Sequence, residues 1–408
     1  MLYDIAFFVF SIFYLPVLIF KGKLHEDFAE RFGNFAPEKR KLLEDAHGAI
    51  WIQAVSVGEV SLCKSLIPKL KSAFPDKKIV LSTITKTGND LAKKLFSQDA
   101  VVIYFPLDFS FTVKKAVSLI KPAVYIMIET EIWPNLLKEL SNGSIPSILI
   151  NGRISDRSIG KYILAKPLLK DTLARVGRFC MQSRLDAERI ISMGAPKDRV
   201  EVTGNMKFDV DINADLKSME TLRETVSLKA DEELFVAGST HRGEESIVIQ
   251  SFKELLGDFP KLKLLIAPRH IDRASEVRGE VKSAGLGETQ VTVLDKIGYL
   301  NSAYSYAAIV FVGGSLVKHG GQNPIEPAIF EKAILFGPHM FNFRDISASF
   351  LKHNAARCIS NNKELTEIVR MLLIDKTKRD ELGRNAKQVV SDNRGATDRN
   401  VEVIKKYA

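Results

Sequence analysis

Short apolar runs rich in Val, Ile and Phe recur along the chain, separated by longer stretches with helical spacing of apolar positions. In the first half they are Ala49 to Gln53, Lys78 to Ser82, Val101 to Phe105, Ala123 to Ile128, Pro146 to Ile150, Arg178 to Met181 and Val200 to Thr203. Continuous rather than alternating hydrophobicity marks strands covered on both faces, and strand–helix alternation predicts a parallel sheet with helices on either side. The pattern breaks across Phe208 to Lys217, where Asp209, Asp211, Asn213 and Asp215 interrupt the apolar positions. It restarts with Leu234 to Ala237, Leu262 to Ala267, Val291 to Leu294, Ala308 to Val312, Ile334 to Phe336 and Ala356 to Ile359. The expected architecture is therefore α/β, with two Rossmann-like domains facing a cleft, over residues 23–210 and 211–408. A terminal helical stretch, Lys363 to Ala408, is available to cross back.

Residues 1–22 differ from the rest. Ile5 to Phe20 is a nearly unbroken apolar run with five Phe, followed by Lys21 and Lys23. Its sixteen residues fall short of the ~20 that a spanning helix needs. No basic residues precede it and no small-x-small site follows, which argues against a cleaved signal. Aromatic residues around the whole circumference are hard to cover in a soluble domain. The expectation is a membrane anchor, spanning or interfacial, with the downstream lysines holding the following domains on the cytoplasmic side.

With 408 residues, 46% of them hydrophobic, the chain has material for two cores. The net charge of +9 favours anionic partners. No helix-turn-helix, zinc-finger or aromatic-basic signature accompanies the charge, so nucleic acid is not expected. Cys63, Cys180 and Cys358 are widely separated beside apolar residues and read as reduced core thiols. The seven histidines are scattered without zinc-ligand spacing, and no metal is expected.

The run Ala308 to Val312 ends in Gly313-Gly314-Ser315-Leu316, and a second polar cluster follows in His319-Gly320-Gly321-Gln322-Asn323-Pro324-Ile325-Glu326-Pro327. Small residues after a buried strand let a ligand approach the backbone, and open α/β sheets bind ligands at such strand ends. Bare amides and a helix N-terminus at Asn323 and Pro324 suit an anion, with the Glu326 carboxylate suited to a ribose diol. Gly238-Ser239-Thr240-His241-Arg242-Gly243 has the glycine spacing of a P-loop but continues into Glu244-Glu245 rather than Lys-Ser/Thr, so nucleoside triphosphate hydrolysis is not supported. With Ser239 or Thr240 as N-cap, the same turn offers amides and hydroxyls to a phosphate or carboxylate. No G-x-G-x-x-G follows the first strand, which removes the dinucleotide fingerprint.

The matching position in the first domain carries Ser56-Val57-Gly58-Glu59. Glu59 is either a first-turn carboxylate complementing the helix dipole or a base facing the other domain. Glu129-Thr130-Glu131 ends the next buried run before Trp133, as a substrate clamp or a helix cap with first-turn charge. Arg153, in Asn151-Gly152-Arg153-Ile154-Ser155, serves either an acceptor phosphate or one of these acids. Lys207, Arg269 with His270, and Lys86 are further cationic positions, with solvation as the default for each.

Taken in order, Ser56 to Glu59, Glu129 to Asn135, Asn151 to Ser155, Gly204 to Phe208, Gly238 to His241, Pro268 to His270 and Gly313 to Pro327 closely resemble the 3-deoxy-D-manno-octulosonic acid (Kdo) transferase family of lipopolysaccharide biosynthesis, the lipid IVA Kdo transferases. The resemblance runs over most of the chain. It implies an inverting glycosyltransferase of the two-domain GT-B type, with CMP-Kdo as donor, the lipid A precursor as acceptor and no cofactor. It places the enzyme on the cytoplasmic face of the bacterial inner membrane. By the same resemblance Glu59 is the general base, and Glu131 and Lys207 assist the transition state. Pro268 and Arg269 hold the CMP, and Asn323, Pro324, Ile325 and Glu326 bind its nucleotide. The nucleobase turn corresponds to Ile297-Gly298-Tyr299, where Tyr299 departs from the family's usual Glu. The remaining donor positions are Ser239, Thr240, Gly314, Ser315, Gly321 and Gln322, and the acceptor positions are Ser56, Gly58 and Arg153. The alternatives are a non-hydrolysing sugar-nucleotide epimerase or another CMP-sugar transferase of the same fold. A non-catalytic membrane-surface protein would leave the strand-end motifs unaccounted for.

Overall fold

The computed structural model of the chain describes residues 3–5, 7–9, 26–209 and 216–408. The chain divides into two compact units, the first Met1–Val210 with Arg394–Ala408 and the second Asp211–Asn393. The first unit holds strands β1 (Ile50–Gln53), β2 (Ile79–Thr83), β3 (Val101–Tyr104), β4 (Val124–Ile128), β5 (Ser147–Gly152), β6 (Arg178–Met181) and β7 (Val200–Val202). They form one sheet in the order β3-β2-β1-β4-β5-β6-β7, parallel throughout. The second unit holds β8 (Glu233–Thr240), β9 (Leu262–Pro268), β10 (Val291–Val293), β11 (Ile309–Val312), β12 (Ala333–Phe336) and β13 (Arg357–Cys358). These are also parallel, in the order β10-β9-β8-β11-β12-β13. Each unit is thus a doubly wound Rossmann-like sheet, and each predicted strand lies where the apolar runs place it.

The reason is visible in the burial. Successive residues of the first sheet alternate between two cores, with Trp51, Tyr125, Met127, Leu149 and Phe179 on one face and Ile50, Ile52, Ile126, Ile128 and Ile150 on the other. Both faces of the central strands are covered, so their positions are mostly apolar and the runs show no polar alternation.

One of those faces is finished from the far end of the chain. The helix Ala396–Ile404 contributes Ala396, Val401, Val403 and Ile404 to the core that also holds Val60, Leu66 and Ile67 of the helix Val57–Ala73. It is tethered at its start, where Asp209 accepts the amides of Gly395 (2.6 Å) and Thr397 (2.5 Å). Further along, Thr203 donates to Asn400 in the interior (3.1 Å), and Arg399 Nε donates to the Thr203 carbonyl (2.6 Å).

Cys63 and Cys180 are buried free thiols, whereas Cys358 is exposed and departs from the expected core position. It sits on a two-residue strand at the sheet edge, where the outward face meets solvent. The apolar segment Ile5 to Phe20 lies for the most part outside the described residues, as do residues 210–215 of the predicted boundary. Among the described residues no helix is long and apolar enough to cross a membrane.

Asp209 is the side-chain cap of the terminal helix, so Asp209→Ala should destabilise the first unit by about 1–2 kcal/mol, read as a lowered urea midpoint, because two helix-end amides lose their acceptor.

Candidate functional site

In each sheet the strand order reverses once, between β1 and β4 and between β8 and β11, and a crevice opens at the carboxyl ends of strands at such a switch point. The segments singled out by sequence leave these strands. Ser56 to Glu59 follow β1 and Glu129 to Glu131 follow β4, while Ser239 to His241 and Gly313 to Ser315 follow β8 and β11.

In the first unit, Glu59 lies in the first turn of the helix Val57–Ala73, with Ser56 as N-cap. Its carboxylate accepts the Val55 amide and, at 3.2 Å, the Ser56 hydroxyl, so its position is set by the β1–helix turn. The side chain is 8% exposed. Burial, then the charge of Glu129, and more weakly that of Glu131, push its carboxyl up to about 8 against the pull of its two hydrogen bonds. Glu131 accepts from Trp133 Nε1 at 2.9 Å, and burial with the Glu129 charge pushes it up to about 7. Glu129 stands 3.7 Å from Lys207 Nζ. Three acids and one lysine therefore converge on one strand-end site, and the acid with the most strongly raised pKa is the one held by the turn. Gly58 is exposed beside it, and a Cβ there would meet nothing closer than the Ser56 hydroxyl at 3.9 Å. Arg153 is tied through its backbone, its carbonyl accepting the Thr130 hydroxyl at 2.5 Å and its amide donating back at 3.3 Å. Lys86 is exposed at the start of its helix, 2.8 Å from Asp90.

Asn151 was not singled out by sequence, yet it organises this site. It is fully buried with φ 52°, and its Oδ1 accepts the Met206 amide at 3.0 Å, placing the segment that carries Lys207. Only its short polar side chain in a turn-like Asn-Gly pair hinted at a left-handed backbone.

In the second unit, Ser239 has φ 56° and the β8–β9 register shifts between Gly238 and Thr240, a bulge that turns the strand end. Thr240 continues the strand and its hydroxyl donates to Glu245 at 3.0 Å. Neither hydroxyl caps the following helix, Glu244–Leu255, whose N-cap is Gly243, because the chain needs two more residues to turn. Arg269 donates its amide to the Thr240 carbonyl at 2.9 Å, bringing the exposed Arg269 and buried Pro268 beside the bulge.

Of the amides expected to be free in Gly238 to His241, that of His241 is occupied, and so are three in the loop after β11. Glu244, with no exposed surface, accepts from Gly314 (2.6 Å), Ser315 (2.9 Å), Leu316 (2.8 Å) and His241 (2.9 Å). Close packing requires two of the glycines: a Cβ at Gly313 would lie 2.4 Å from the Ser239 carbonyl oxygen, and one at Gly238 2.1 Å from the Tyr304 hydroxyl. The role of Glu244 is invisible in sequence because its partners lie some seventy positions away, and the only signal was an acid pair where a phosphate loop has Lys-Ser/Thr.

Gly321 donates to the Gly314 carbonyl at 2.7 Å, joining the two glycine clusters. Gln322 Nε2 lies 3.3 Å from His241 Nε2. Asn323 accepts the Ile325 amide at 3.2 Å and donates to Glu326 at 3.3 Å, so one amide of the short helix Ile325–Ile329 is also taken; Pro324 and Ile325 are buried. Burial raises the Glu326 carboxyl, opposed by Asn323 and by the charge of Arg269. Ile297 and Gly298 form an exposed turn with Gly298 at φ 94°, ahead of the helix Leu300–Tyr306, and Lys296 Nζ lies 5.9 Å over the Tyr299 ring.

The acids sit at one switch point and the cationic, glycine-rich loop cluster at the other, and the underlying architecture is that of two parallel-sheet α/β units, as in two-domain glycosyltransferases. Solved structures share it: a UDP-GlcNAc 2-epimerase from Neisseria meningitidis (TM-score 0.63, 14% identity, 88% of this chain and 100% of that one) and a glycosyltransferase from Rickettsia africae (0.63, 11%, 88% and 98%). At these identities they speak for the fold alone. The profile of the family described as 3-deoxy-D-manno-octulosonic-acid transferase (kdotransferase) matches residues 26–210. A 3-deoxy-D-manno-octulosonic acid transferase of Haemophilus influenzae is 34% identical over 88% of this chain and 87% of its own length, and one of Chlamydia pneumoniae is 28% identical over 99% and 95%. The chain belongs to the 3-deoxy-D-manno-octulosonic-acid transferase family and is a glycosyltransferase.

A carboxyl held protonated in the fold favours folding below the range of an ordinary carboxyl, and that contribution drains away as pH rises from about 4.5 to about 8. Glu59→Gln, which cannot ionise, should therefore be more stable than the parent above pH 8, by at least the ~1.4 kcal/mol of one pKa unit, with the difference fading below pH 5. Denaturant melts at pH 5 and pH 8.5 check this.

Proposed function

We propose that the chain is an inverting transferase that moves Kdo from CMP-Kdo to the lipid A precursor, lipid IVA, with Glu59 as general base. The observation that carries the reading is the setting of Glu59, a buried carboxylate fixed by its own turn, crowded by Glu129 and Glu131 and raised to about 8. A general base works best when its pKa lies near the operating pH, and an unperturbed glutamate would be too weak. Family membership supplies the reaction in which such a base is needed.

The acceptor hydroxyl gives its proton to Glu59 while its oxygen attacks the anomeric carbon from the face opposite CMP. The bond from that carbon to the phosphate oxygen breaks, its electron pair leaves with CMP, and the configuration inverts. Lys207 and Glu131 assist from the first unit. Arg269 and Pro268 hold CMP, with Asn323, Pro324, Ile325 and Glu326 on the nucleotide and Ile297 to Tyr299 offering backbone to the base. The acceptor belongs to residues 23–210, at Ser56, Gly58 and Arg153, and the donor to residues 211–408. Positive charge offsets the phosphates of both substrates. Residues 1–22 anchor the enzyme to the cytoplasmic face of the inner membrane, where the acceptor resides.

Glu59→Ala should lower transfer by about 10²–10⁴-fold, seen by mass spectrometry of lipid IVA incubated with a CMP-Kdo generating system, with CMP affinity unchanged. Loss of CMP binding in that variant would overturn the assignment. Glu326→Ala should do the reverse, weakening CMP binding by about tenfold or more through loss of one buried polar contact.

Deletion of residues 1–20 should free the protein from sedimented membranes with activity retained in detergent. Persistent sedimentation would assign the attachment to the basic surface instead.

A further inference from the structure

Glu244 fills the amides of Gly314, Ser315 and Leu316, so side chains take on more of the work of meeting an anion at this end of the second sheet. Three imidazoles gather there from three segments: His241 after β8, His270 after β9 and His319 in the loop after β11. The rings of His241 and His319 stack with centroids 4.1 Å apart and 13° between planes, and His270 stands edge-on to His241 at 6.0 Å. Gln322 lies against His241 Nε2, and Gly314 makes room for the ring, since a Cβ there would come within 3.1 Å of His241 Cδ2. His270 and His319 are exposed, so the cluster opens to solvent and to a ligand.

The groups that act on His241 are all cationic or able to become so. Burial, then His319, His270, Arg269 and Arg273, push it down to about 4. The carboxylates nearby are engaged: Glu244 holds backbone amides, including that of His241 itself, Glu245 takes the Thr240 hydroxyl and pairs with Arg273 at 2.7 Å, and Glu276 pairs with Arg273 and Arg242. Burial and these cationic neighbours disfavour a charge on His241 while the site is empty, and a bound anion reverses that balance.

We propose that His241, His270 and His319 form a proton-coupled anion-binding element of the donor site, in which the ligand's phosphodiester seats against the imidazoles and a proton from solvent is taken up with it. The inference rests on the donor-site reading above and adds to it a role for three residues and a dependence on pH. The proton is taken up at the imidazole cluster, so affinity falls as pH rises.

The test is isothermal titration calorimetry of the full chain with the methyl phosphodiester of CMP, whose single charge does not titrate between pH 6 and 8. In two buffers of different ionisation enthalpy, the parent should take up as much as one proton per ligand and bind about tenfold more tightly at pH 6 than at pH 8. His241→Asn and His319→Asn should lose most of that uptake, falling at pH 6 to near the parent's pH 8 affinity while changing little at pH 8. His353→Asn, outside the cluster, should behave as the parent. Binding without proton uptake in the parent would overturn this proposal alone, as would equal loss at both pH values in the two cluster variants. Failure of the parent to bind the phosphodiester at all would overturn the donor-site reading together with it.

Discussion

A parallel sheet ends in loops whose amides have no strand to pair with, and buried amides without partners are costly. In this chain a carboxylate supplies the acceptor again and again. Glu59 takes the Val55 amide, and Glu244 takes four amides from two loops. Asp108 holds the amides of Asn135 and Leu136, and Asp186 that of Ile154. The shape of both candidate sites depends on these acids. Burial also makes Glu59, Glu244 and Asp108 chemically unusual, since a carboxylate taken out of water holds its proton more tightly. At Glu59 one group therefore closes a turn and acquires the basicity that proton abstraction needs.

The two units solve this problem differently. In the first, the turn acid remains next to Glu129 and Glu131 and is poised for proton transfer. In the second, the turn acid is consumed by the backbone, and cations and imidazoles surround what remains. Left-handed backbone at Glu129, Asn151 and Ser239 marks three of the strand ends involved. Each such residue costs about 1–3 kcal/mol, a cost that persists where the surrounding packing over-determines it.

The strands were legible because double-sided burial writes itself into composition: a run such as Val124 to Ile128 has no polar position to confuse its reading. The candidate acids were legible because Glu59, Glu129 and Glu131 follow such runs directly. What could not be read were contacts between distant segments. Glu244 passed as a mere departure from a phosphate loop, and Gly313 and Gly314 looked open when the β8 strand end fills the space beside the first and the His241 and Gln322 side chains lie against the second. Cys358 looked buried because Ala355, Ala356 and Ile359 around it are, yet its own strand is the sheet edge. The three histidines lie in three separate motifs and meet only once the sheet order is known.

The return of Arg394–Ala408 to the first unit reverses the usual order of events on the ribosome, where the N-terminal domain is complete before the next one emerges. Here the second unit can close as soon as Asn393 is out. The first sheet, although made earliest, waits with Ile52, Val60 and Leu66 short of their cover until the final helix is released. The domain that carries Glu59 thus depends for its cover on residues that follow the whole of the second unit in sequence.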